Sequence, residues 1–115
     1  MHISHECDTL LCVLYREYLS RRSHGVSIDR ASYFRDGPSI HENFMPLWSV
    51  DDVNALCWRL VGHGLLIAFP GDDQPNEVTL TEQGITYMEN RFAGKADELL
   101  SRLAQLISLV PPWAG

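Results

Sequence analysis

The feature that most constrains this chain is a change in the period of its apolar residues between Ser49 and Thr81. Val53, Leu56, Cys57, Leu60 and Val61 recur at steps of three and four, the spacing that keeps side chains on one face of a helix. Gly62-His63-Gly64 then breaks the pattern, and an apolar run from Leu65 to Phe69 follows. The polar stretch Pro70 to Asn76 separates that run from Glu77 to Thr81, where Val78 and Leu80 alternate with polar neighbours. A helix must therefore feed straight into a β-hairpin, here expected to carry a seven-residue polar tip. Ser49-Val50-Asp51-Asp52 has the form of a capping box with Asp in place of Glu, which starts that helix at Val50.

The flanking segments are helical by the same reasoning. A first amphipathic helix is expected from about Ser4 to Arg22 through Leu10, Leu11, Leu14 and Tyr18. Ser4 or Asp8 caps it, and Gly25, after Arg21, Arg22 and His24, stops it. A short second helix is expected within Val26 to Phe34, with Ser27 as cap and Ile28, Ala31 and Phe34 on one side. Asp36 to Trp48 contains Gly37, Pro38 and Pro46 and reads as an ordered loop with room for one further helical turn. Thr81 can cap a fourth helix carrying Ile85, Met88 and Phe92, which Gly94 interrupts or ends. In the last segment, Lys95 to Val110, Ala96, Leu99, Leu103, Leu106 and Val110 are spaced by three and four, and Pro111-Pro112 stops it. The expected fold is α+β and mostly helical, with a domain over residues 1–92 and an amphipathic helix within 93–115. Leu99, Leu103, Leu106 and Val110 would leave an apolar stripe exposed on a monomer, so they are expected to join a homodimer.

Two junctions carry a resemblance. Leu60-Val61-Gly62-His63-Gly64-Leu65-Leu66 looks like the L-x-x-x-G-L-[LI] exit from a recognition helix into a first wing strand. Val78-Thr79-Leu80-Thr81-Glu82-Gln83-Gly84 looks like the L-T-x-x-G return from the wing into the next helix. Together they span about residues 48 to 92, and the chain resembles the winged helix-turn-helix superfamily there, with junctions similar to those of MarR-type and PadR-type regulators. The resemblance implies a winged-helix domain over 1–92 with a β-hairpin wing and an added C-terminal helix. It also implies a DNA-binding transcriptional regulator whose third helix enters the major groove. The residues it would place at DNA are Asn54, Trp58 and Arg59, with the Arg21-Arg22 region beside them.

Charge points elsewhere. The chain carries 9 basic and 15 acidic residues, a net charge of −6. Between Asp36 and Asn90 there are nine acids and one basic residue, Arg59. Neutralising phosphates through that surface is unfavourable. The alternative is an acidic winged-helix module that docks onto a protein through Asp51, Asp52, Asp72 and Asp73 and does not bind DNA. Arg16, Arg21, Arg22, Arg30 and Arg35 face only Glu17 and Asp29 between residues 16 and 35. They form either a basic patch for phosphate or an acidic partner, or a set of helix-end and surface cations.

Other chemistry finds little footing. No phosphate-binding glycine loop, H-E-x-x-H or G-x-S-x-G occurs, and the single lysine, Lys95, lies in no motif, so neither an enzyme nor a cofactor is expected. His2, His5, Glu6 and Cys7 lie close in sequence without a second ligand cluster, and no metal site is expected. His63 reads as a solvated group near a helix end. Trp58 is expected to pack under the segment Phe44 to Trp48. Three cysteines without C-x-x-C spacing suit reduced thiols, with Cys12 and Cys57 as core filler. No apolar run approaches the roughly 20 residues of a membrane span, and residues 1–8 lack the basic and apolar regions of a secretory signal, so the expected address is cytoplasmic.

Overall fold

The computed structural model describes residues 2–92, so the expected helix within 93–115, its dimer seam and Gly94 lie outside the described residues. Among the described residues the fold is α+β and mostly helical, with five helices and a two-stranded antiparallel hairpin. The order is α1 (His5–Ser23), α2 (Ile28–Ala31), α3 (Gly37–Phe44), α4 (Val50–Gly62), β1 (Leu66–Gly71), β2 (Gln74–Leu80) and α5 (Glu82–Arg91). No described helix is long and apolar enough to cross a membrane.

Local chemistry sets most of these boundaries. The hydroxyls of Ser4, Ser27, Ser49 and Thr81 and the carboxylate of Asp36 each accept the amide three residues on, capping all five helices. At the end of α1, Gly25 N–H donates to the Arg22 carbonyl and Val26 N–H to that of Arg21. The end of α4 repeats this pair of bonds, Gly64 to Val61 and Leu65 to Leu60. Both are Schellman ends, which require the left-handed backbone that Gly25 and Gly64 adopt (φ 82° and 77°).

Four sequence expectations are corrected. Helix α1 is not one-sided: every residue from Cys7 to Tyr15 is buried, Asp8 and Thr9 included. A helix covered on all sides shows no polar face to read. Helix α2 has four residues and leaves Ile28 53% exposed instead of packing it with Ala31 and Phe34. The loop assigned to Asp36–Trp48 contains α3, two turns long, because Pro38 falls in its first turn, where a missing N–H costs nothing. The hairpin tip is two residues, not seven: Pro70 pairs with Pro75 and Gly71 with Gln74, leaving Asp72 and Asp73 as the turn. Both have positive φ (54° and 57°), as a tight hairpin turn demands and as Asp tolerates.

A further strand-like segment escaped the sequence pattern. Residues 32–35 run along the far edge of β2, with Phe34 N–H on the Val78 carbonyl (2.8 Å), Val78 N–H on that of Arg35 (2.7 Å) and Leu80 N–H on that of Ser32 (2.9 Å). Arg35 and Glu77 both take left-handed backbone here (φ 67° and 53°), and Glu77 sits in a β-bulge of β2. The Tyr33 hydroxyl is hydrogen-bonded to the Glu77 carboxylate, which pushes its pKa up, with a smaller contribution from burial. The core gathers Leu10, Leu11, Leu14, Ala31, Ile40, Leu60, Leu65, Leu66, Val78 and Met88, and every described element contributes to it. A fork between Asp8 and Arg91 fastens the start of α1 to the end of α5, with Nη1 on Oδ1 and Nη2 on Oδ2.

Candidate interaction surface

The two junction motifs meet as one joint. Thr81 Oγ1 donates to the Gly64 carbonyl (2.7 Å) and accepts the Gly84 amide (2.9 Å), while Thr81 N–H bonds the Leu65 carbonyl (3.2 Å). One threonine thus caps α5 and holds it to the exit of α4. Gly84 lies so close that a Cβ there would overlap the Leu65 carbonyl oxygen and reach its carbon at 3.1 Å. These glycines and this threonine are explained by packing, and they position the faces on either side. Gly84→Ala should therefore destabilise by about 2 kcal/mol although alanine is the better helix former by about 1 kcal/mol. Urea unfolding decides it, and a variant as stable as the parent would show that α5 is free to shift.

The exposed face of α4 is acidic at its start. Asp51 is exposed and Asp52 half-buried. Asp52 lines a groove of about 450 Å³ with Glu6, Ala55, Leu56 and Arg59. Arg59, the one cation among the described residues that line it, therefore shares this groove with two carboxylates. The turn residues Asp72 and Asp73 are both exposed. They line a second groove of about 510 Å³ with Pro70, Gly71, Gln74 and Trp58. Trp58 is half-buried and lines that groove beside the hairpin tip.

Two of the other expected contact residues, Asn54 and Arg21, are engaged by the fold. Asn54 turns toward α3: a Cβ on Gly37 would overlap its carboxamide oxygen, which is buried without a hydrogen-bond partner. Arg21 is spent on the fold. Its Nε binds Glu17 (3.1 Å), its Nη1 binds the carbonyls of Ala31 (3.2 Å) and Tyr33 (2.7 Å), and its guanidinium lies 4.6 Å from the Phe34 ring centre. Arg22 Nη1 bonds the Val26 carbonyl across the end of α1. Arg22, Arg30 and Arg35 are exposed, on or next to the segment that Arg21 braces. No family model, characterised protein or solved structure matches the chain.

The remaining polar groups are easily placed. Cys7, Cys12 and Cys57 form no disulfide among the described residues and are buried, the last two as expected of core filler. His2 and His5 are exposed whereas Cys7 belongs to the core, and no three ligand-type residues converge among the described residues. The Asp8–Arg91 fork joins residues 83 positions apart and had no signal in the local sequence.

Proposed function

We propose that the chain is a winged-helix-type interaction module that binds a basic protein partner through α4 and the hairpin tip. One observation supports this above the others. Asp52, Asp72 and Asp73 line two grooves at α4 and the hairpin tip, Asp51 is exposed at the start of α4, and Arg59, the one cation among the described residues lining them, stands with Glu6 and Asp52. Such a face repels phosphate and speeds encounter with a cationic protein. The DNA-binding regulator is the second reading. It is favoured by the succession of α3, α4, hairpin and α5 and by the two junction motifs, with Arg22, Arg30, Arg35 and Arg59 as its cations.

Binding to immobilised peptides of graded net charge separates the readings. Affinity should rise with peptide positive charge, fall with salt, and drop at least about tenfold in Asp72→Asn/Asp73→Asn, which keeps residues tolerant of the left-handed turn. Gel shifts with mixed duplex fragments at low salt should show no complex. A shift that disappears in Arg59→Ala would replace the protein-partner reading with the DNA reading.

A further inference from the structure

The hairpin has two unlike edges. Val78 and Leu80 of β2 turn their main-chain groups toward residues 32–35, so Thr79 and Thr81 turn theirs toward β1. Consistent with this, Thr81 N–H bonds the Leu65 carbonyl and Thr79 is the partner of Ile67. By alternation, Leu66 and Ala68 point their N–H and C=O groups away from the hairpin, and among the described residues no strand pairs with that edge. The side chains beside it are apolar and open. Ile67 is 47% and Phe69 56% exposed on the outer face, and Tyr33, 37% exposed, lies in the same row across Thr79. No charge occurs from Leu65 to Gly71. Exposed edges of this kind normally carry a lysine or another charge to discourage pairing.

The geometry points to the free edge of β1 as a self-association surface, occupied by β1 of a second copy running antiparallel about a two-fold axis at Ala68. This is independent of what the acidic face binds. In that register Ala68 pairs with Ala68 of the second copy through two main-chain bonds. Leu66 N–H meets the carbonyl of the second copy's Pro70, twice by symmetry, so the prolines, with no N–H to offer, end the pairing. Ile67 lies opposite Phe69 of the other copy, also twice, giving two aliphatic–aromatic pairs on one face.

Charge favours this occupant over a parallel or shifted one. The acidic tips are carried to opposite ends: Asp72 and its counterpart are eight residues apart along the strands, about 26 Å and beyond the screening length of physiological salt, which is about 8 Å. Each tip instead falls beside the uncharged His63-Gly64 end of the other copy, one strand spacing away. Four main-chain bonds and two side-chain pairs make a small interface, so the dimer is weak, with a Kd of about 0.1 to 1 mM.

Amide exchange of the full chain from about 20 µM to 2 mM, with sedimentation at the same concentrations, tests the pairing. The Leu66 and Ala68 amides should slow by about threefold or more at the upper end, while those of Ile67 and Thr79, already inside the hairpin, stay constant. Ile67→Lys/Phe69→Lys should abolish the slowing, and Leu47→Lys, at a 59% exposed position elsewhere, should leave it intact. The proposal is overturned if both amides exchange at a concentration-independent rate, including a slow one set by the chain's own cover. It is equally overturned if mass rises with concentration while these amides are unaffected, or if the slowing survives in the double variant.

Discussion

Asp8→Ala should lower the free energy of unfolding by about 3 kcal/mol, read as a shift in the urea midpoint at unchanged slope. The Asp8 side chain is 10% exposed and that of Arg91 23%, so the fork is mostly withdrawn from water. Removing the carboxylate leaves a partly buried guanidinium charge without the Asp8 hydrogen bonds that push its pKa up against the opposing effect of burial. Breaking a fully buried pair costs about 3 to 5 kcal/mol, and the partial exposure of Arg91 argues for the lower end. The pair Asp8→Leu/Arg91→Met should regain at least about half of the loss, because two apolar groups of similar length need no desolvated charge. Additive losses in the double variant would show instead that each residue acts through separate contacts. The ends of α1 and α5 would then not depend on each other.

The parts of this fold that were legible in the sequence are those decided within four or five residues. Ser49 and Thr81 cap α4 and α5 as their positions foretold, and the apolar stripe of α4 is buried at Val53, Leu56, Cys57 and Leu60. The helix-to-hairpin junction was legible because Gly64 must take a left-handed backbone and Leu65 must follow it into the core. Breakers misled where they play a second role. Asp36-Gly37-Pro38-Ser39 starts α3, with Gly37 at a close crossing where a Cβ would lie 3.1 Å from Pro75 and overlap Asn54. Pro70 and Pro75 stand opposite each other in the hairpin, so a proline-rich stretch that looks like a loop is mostly strand.

The candidate surface was legible as charge and not as geometry. Counting acids placed Asp51, Asp52, Asp72 and Asp73 in one functional set, and two separate grooves, each bordered by residues of α4, receive three of them, with Asp51 exposed at the start of α4. Helical spacing put Asn54 on the outward face. The close approach of α3 at Gly37, a contact 17 positions away, turns its amide inward. Arg21 looked like a free helix-end cation, and only the chain reversal after Gly25 brings the Ala31 and Tyr33 carbonyls within its reach. Each miss is a long-range contact overriding a local pattern.

Stability should fall steeply on the alkaline side because of Cys57. Its thiol is fully buried between α1 and α4, and burial, with a smaller contribution from Cys7, pushes its pKa up from 9.0 to about 12. The native state therefore holds this proton more tightly than the unfolded chain does. The associated stability is complete below pH 9 and is lost as the pH rises from about 9 toward 12. The full effect is worth about 4 kcal/mol, and more than half of it is already gone at pH 11. Tyr15, raised mainly by burial, adds to the loss in the same direction. Cys57→Ala will be less stable at pH 7 through the lost packing of the sulfur, yet its decline between pH 8 and pH 11 should be shallower than that of the parent by about 2 kcal/mol. Parallel pH profiles for the two proteins would mean that the thiol meets solvent in the folded chain. Cys57 would then also react with a thiol reagent at pH 8 under native conditions, where the buried thiol is expected to wait for unfolding.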